Sequence, residues 1–92
     1  MEENTVMFNG SKEVKELREM TLSKRKEIMQ SDEFKNEMNE IMDSAKKGAN
    51  EGFQWVSFSI NGSVLRMVIM EELSKMGFSV KNGSMTNVTI SW

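Results

Sequence analysis

FQWVSFSINGSVLRMVIMEELSKMGFSVKNGSMTNVTISW, residues 53–92, contains a complete strand–helix–strand–strand pattern. Val56, Phe58 and Ile60 alternate with Ser57 and Ser59, the period of a strand with one buried face. Asn61-Gly62-Ser63 breaks that strand. An apolar helix is expected from Val64 to Met76, ended by Gly77, which as the residue after the cap would set Phe78 near Leu73 in a Schellman stop. Phe78 and Val80 resume the alternation, Asn82-Gly83 supplies a hairpin-type turn, and Val88, Ile90 and Trp92 complete the pattern. The dry face should hold Val56, Phe58, Ile60, Phe78, Val80, Val88, Ile90 and Trp92. Ser57, Ser59, Ser79, Lys81, Thr89 and Ser91 line the opposite, solvated face, with Trp55 as its odd member. The helical crossover makes the first two strands parallel. Placing the third between them makes every neighbouring pair antiparallel.

The helix in this unit is apolar around most of its circumference. Leu65, Val68, Ile69, Leu73 and Met76 form its core stripe, and Val64, Met67 and Met70 extend the apolar surface beyond it. Such a helix needs cover on more than one side. One cover is the sheet; the other is the N-terminal arm, a second copy of the chain, or both.

Upstream lies that arm, and the composition changes near Gly48–Gly52. Residues 1–52 hold 12 of the 14 acidic and 9 of the 12 basic residues. Ser11 reads as an N-cap. Val14 and Leu17 begin an apolar stripe that turns irregular at Lys24-Arg25-Lys26 and recovers at Ile28. Phe34, Met38, Ile41, Met42 and Ala45 then fall on one helical face, with Gly48 as the expected stop. Ser31-Asp32-Glu33 can cap a fresh helix, its acids placed at the positive end. The arm, 11–47, is therefore read as kinked near 30–31 rather than as one helix. Residues 1–10 read as a flexible lead or, at Thr5-Val6-Met7-Phe8, as a short strand. The expected fold is α+β in a single domain, 1–92: an N-terminal helical arm, then a β-α-β-β unit whose three-stranded, mainly antiparallel sheet packs on helix.

Composition removes several chemistries. There is no cysteine and no histidine, hence no thiolate chemistry, no disulfide, and neither of the commonest general base and transition-metal ligand. A net charge of −2 argues against a general nucleic-acid binder. No run is apolar enough for a membrane span, and the acidic Met1-Glu2-Glu3-Asn4 is unlike a secretory signal, so a cytoplasmic protein is expected. Gly48-Ala49-Asn50-Glu51-Gly52 lacks the lysine and the strand-to-helix setting of a phosphate loop. Asp32, Glu33, Glu37, Glu40 and Asp43 share a helix, but a solvated charged face explains them. We assign no metal, no cofactor and no catalytic residue.

Binding features remain. Lys24-Arg25-Lys26 is a local positive patch. Ten methionines in 92 residues are a high content of a side chain suited to adaptable surfaces. Partner contact is expected at Lys24, Arg25, Lys26, Phe34, Met38, Met42, Met67 and Met70. A second expectation gives a nucleotide ligand, in a pocket between protomers, to Lys24, Arg25, Arg66 or Trp55, the cations for phosphate and the indole for base.

Ala45-Lys46-Lys47-Gly48, Trp55-Val-Ser-Phe-Ser-Ile60, Met70-Glu-Glu-Leu-Ser-Lys-Met-Gly-Phe-Ser-Val80 and Val88-Thr-Ile-Ser-Trp92 together cover about half of the chain. This half resembles small uncharacterised proteins of tailed bacteriophages, which pair an N-terminal helix with a Leu-x-x-x-Gly-aromatic-x-Val joint. The resemblance implies a phage-encoded accessory protein that works by binding in the host cell cytoplasm. The expected function is thus a non-enzymatic protein-binding or assembly module. It would self-associate as a homo-oligomer and act on a host protein or in phage assembly. The alternative is a sponge for nucleotide signals.

Overall fold

The computed structural model describes residues 10–92. They form α1 (Gly10–Met29), α2 (Asp32–Asn50), β1 (Trp55–Ser59), α3 (Ser63–Lys75), β2 (Ser79–Asn82) and β3 (Asn87–Ser91). The expected strand at 5–8 lies outside the described residues. The fold is α+β, with strand order β1-β3-β2 and both pairs antiparallel. β3 does sit in the middle. Val56 and Val80 both pair with Ile90, and Ser57 and Lys81 both pair with Thr89, so the two faces are in register across the sheet.

The arm breaks where its pattern breaks. Ser31 is the N-cap of α2: its hydroxyl accepts from Phe34 N–H at 3.2 Å and donates to the Ile28 carbonyl at 2.6 Å. One side chain thereby satisfies groups of both helices at the corner. Asp32 and Glu33 follow in the first turn, where their charge opposes the positive end of the helix dipole.

α3 stops as its sequence predicts. Gly77 takes φ +104°, its N–H donates to Ser74 and the Phe78 N–H to Leu73, the paired bonds of a Schellman motif. The same motif ends α2, but not at Gly48. That helix runs two residues further to Asn50, and Gly52 adopts φ +97° while Gly52 and Phe53 donate to Ala49 and Gly48. Gly48 has another role: a Cβ there would lie 3.7–3.9 Å from Trp55 O, Phe53 Cβ and the Trp92 ring. It lies where α2 meets the start of β1 and Trp92, with ordinary contact distances that leave room for a Cβ. Two further boundaries differ. α1 begins at Gly10, so Ser11 lies inside the first turn rather than capping it, and Ser63 is the first helical residue of α3, behind a Gly62 N-cap.

The expected turn at Asn82-Gly83 is wider than a two-residue hairpin. Residues 83–86 connect the strands, closed by Gly83 N–H to the Asn87 carbonyl at 2.8 Å and Asn87 N–H to the Ser84 carbonyl at 3.0 Å. Met85 takes φ +57° there, and Arg66 Nη1 donates to its carbonyl at 2.7 Å. α3 thus holds the tip of the β2–β3 connection.

Ile41, Ile60, Leu65, Ile69, Leu73, Val88 and Ile90 make the core, where α2 and α3 meet one face of the sheet. Phe34, Met38, Met42, Val56, Phe58, Met70, Phe78 and Val80 pack around it. Met76, expected in the core stripe of α3, is exposed. It is the C-cap residue of α3, past the last helical turn that packs on the core.

Candidate interaction surfaces

α1 supplies the expected lid for α3, over one flank only. Val68, almost fully buried, faces Leu22, Arg25 and Met29 of α1, with Glu71, Glu72 and Lys75 alongside. Arg25 Nη1 donates to both carboxylate oxygens of Glu71 at 2.9 Å. An exposed pair of this kind contributes about 0.5 kcal/mol and joins α1 to α3 across 46 residues of sequence. Lys24 pairs with Glu27 at 2.9 Å along its own helix. The positive patch is therefore partly committed within the chain: Arg25 is an internal tie, Lys24 a local pair, and Lys26 borders the α1–α3 groove.

The methionines divide the same way. Phe34, Met38, Met42 and Met70 pack against the core and do not form a free surface. Met67 is half-exposed on the outer side of α3, next to exposed Val64. Of the residues expected to hold a nucleotide, Arg66 and Trp55 are not brought together. Arg66 reaches the connection at 83–86, beside the Ser59–Asn87 end of the sheet, while Trp55 sits opposite Ser91 at the other end.

Two surfaces were not singled out from sequence. The first is the N-terminal half of α1. The molecule measures 59 × 25 × 22 Å, and a helix of twenty residues spans about 30 Å, so α1 accounts for much of that length. Its last two turns rest on α2 and α3, whereas residues 11–24 are exposed throughout. Val14, Leu17 and Leu22 are 44%, 61% and 64% exposed, and with Arg18 and Thr21 they line one shallow apolar groove. The signal was present in the spacing of Val14, Leu17 and Thr21, which is three then four. That such residues stay uncovered could only be known from the fold.

The second surface is the start of β1. Phe53 and Trp55 are both about half exposed and meet edge to face, ring centroids 6.1 Å apart. They share a depression with Ser44, Lys47, Gly48 and Glu51 of α2 and with Val56 and Ser57. Beyond it the open sheet face carries the expected hydroxyls: Ser57 and Thr89 hydrogen-bond at 2.6 Å, and Ser59 bonds Thr86.

Among the described residues, no three acidic side chains gather into a group able to hold a metal ion, and no helix is long and apolar enough to cross a membrane. The acidic face of α2 has one perturbed member. Partial burial first, then the nearby Glu40 and Glu33, push Glu37 above the usual carboxylate range. A raised folded-state pKa means that the folded chain binds more protons than the unfolded chain in that interval, so stability falls as pH rises through it. Glu37→Gln should therefore stabilise the protein at pH 7 by about 0.3 kcal/mol, the size of a like-charge helical pair. The gain should vanish below roughly pH 4, where carboxylates are protonated in both states. Urea titrations of both proteins at the two pH values check this; a pH-independent difference would contradict it.

No protein-family model, curated protein or solved structure matches the chain.

Proposed function

We propose that this protein is a non-enzymatic binding and assembly module that self-associates through the projecting half of α1. The observation that carries this reading is the apolar stripe Val14–Leu17–Leu22, left open on a helix whose other end is anchored. Contiguous exposed apolar surface on a protein is costly to keep in water and marks contact sites. The charges flanking it, Lys12, Glu13, Lys15, Glu16 and Arg18, are mixed in sign, as suits a polar rim around an apolar contact. The absence of histidine and cysteine supports a role without catalysis. The resemblance to small proteins of tailed bacteriophages supplies the context of an accessory protein, acting on a host protein or during phage assembly, in the cytoplasm of the host.

For the nucleotide-sponge alternative, Arg66 is engaged with the Met85 carbonyl and stands at the far end of the sheet from Trp55, so a site using both would have to form between protomers. Leu17→Glu tests the favoured reading without touching the core. A central apolar contact residue is worth about 2 kcal/mol or more when lost, so association should weaken roughly 30-fold while the circular dichroism spectrum stays unchanged. Sedimentation velocity reads the outcome. A wild-type chain that stays monomeric at high micromolar concentration, or a Leu17→Glu variant that associates as before, would remove the proposal.

A further inference from the structure

The sheet has two outer edges, and they differ in how they are protected. The β2 edge is four residues long and carries Lys81, a charge of the kind that keeps edge strands from pairing with other chains. β1, Trp-Val-Ser-Phe-Ser, carries no charge, proline or glycine. No strand pairs with its outer edge among the described residues.

The direction of its backbone groups follows from the register. Trp92 N–H donates to the Gln54 carbonyl and Ile60 N–H to that of Thr86. The partners of Val56 and Phe58 are Ile90 and Val88. In an antiparallel ladder the hydrogen-bonded residues alternate, so the even-numbered residues of β1 bond inward to β3. The N–H and C=O groups of Trp55, Ser57 and Ser59 therefore point outward. On the core side of that edge Val56 and Phe58 are only partly buried, packed against the core with some surface left open. On the open side stand the hydroxyls and Trp55.

We infer that β1 is an interface at which two copies of this chain pair antiparallel about Ser57, joining two three-stranded sheets into one of six strands. This goes beyond the contact through α1 and uses a different surface. The sequence is self-complementary in that register. Ser57 meets Ser57 of the second copy, Val56 meets Phe58, and Trp55 meets Ser59. The central Ser57 pair then finds partners for its outward groups, while the Trp55 carbonyl at each end is bordered by Gly48 of α2; apolar side chains meet on the core side, and hydroxyls meet on the open side. A two-fold contact requires that a patch match itself, and no like charges meet in this one. The exposed Phe53–Trp55 pair borders the contact at each end.

The experiment uses the full chain in the Leu17→Glu background, so that loss of the α1 contact cannot mask the result. That variant should lose the larger assembly that two contacts per chain give the wild type, yet still sediment as a dimer. Adding Ser57→Lys sets two ammonium groups opposite each other at the axis and should weaken the dimer roughly tenfold or more. Thr89→Lys, on the same face but on the central strand, should leave it intact. Since the chain has no cysteine, Ser57→Cys is a clean reporter, and a short bis-maleimide should link two copies through it in high yield. A monomeric Leu17→Glu variant, or an unaltered dimer after Ser57→Lys, overturns the inference. So does dispersal by Ser57→Lys without cross-linking through Ser57→Cys, since the edge would then be taken by another segment.

Discussion

Leu73→Ala should lower the free energy of unfolding by about 3–4 kcal/mol, the range for emptying a fully buried leucine site. Leu73 has no exposed surface and lies within the cluster that joins α3 to Ile41 of α2 and to Val88 and Ile90 of the central strand. A truncation there loses transfer energy and leaves a cavity bordered by three elements, none of which can close in without dragging the others. For a domain of this length total stability is about 5–10 kcal/mol, so the variant should be populated as partly unfolded near body temperature. Val64→Ala, at the second residue of the same helix and half-exposed, should cost less than about 1 kcal/mol. Denaturant titration of the pair measures this, and equal losses would mean that the core does not lie where these contacts place it.

Gly77→Val should be the most damaging change outside the core, at about 2–3 kcal/mol, the scale of holding a β-branched residue in a backbone region reserved for glycine. The cause is conformational alone. At φ +104° a Cβ meets no atom within 4 Å, so there is space for the side chain but no tolerable backbone geometry. The cost should appear as a lower unfolding midpoint with an unchanged denaturant slope. Gly48 provides the contrast: it lies inside α2 with ordinary helical φ, and the neighbours of its Cβ position are at normal contact distance. Gly48→Ala should therefore be neutral or stabilising by up to about 1 kcal/mol. A loss at Gly48 matching that at Gly77 would place the end of α2 at Gly48 after all.

That contrast also shows what kind of information the chain carried. Gly77 was readable as a helix stop because an apolar run ended against it and Phe78 resumed a strand period. Gly48 looked equivalent, with Lys46-Lys47 before it, but Gly52-Phe53 repeats the Gly77-Phe78 pair and is the actual stop. The break at Gln30-Ser31 was readable for a similar reason: a serine followed by two acids is locally self-sufficient as a helix start, and no tertiary contact is needed to impose it. The strand order was legible too, because a one-sided sheet leaves few ways to connect three alternating segments.

What the candidate sites would be was less legible. Lys24-Arg25-Lys26 reads as one patch, yet Arg25 is turned to Glu71, 46 residues away in sequence. Phe34, Met38 and Met42 have the composition of a binding face, yet α2 lays them against the core. The helix period says that residues share a face; it does not say what the face meets.

The sequence by itself determined the local elements, their periods and the two-faced sheet, since these depend on alternation, caps and backbone preference within a few residues. Tertiary structure alone decided which apolar residues are covered. Burial depends on how α1 and α2 pack against α3, at junctions where the Ser31 corner and the Arg25–Glu71 tie lie. That packing leaves Val14, Leu17 and the edge of β1 exposed, closes Val68, and partly covers Met38 and Met42.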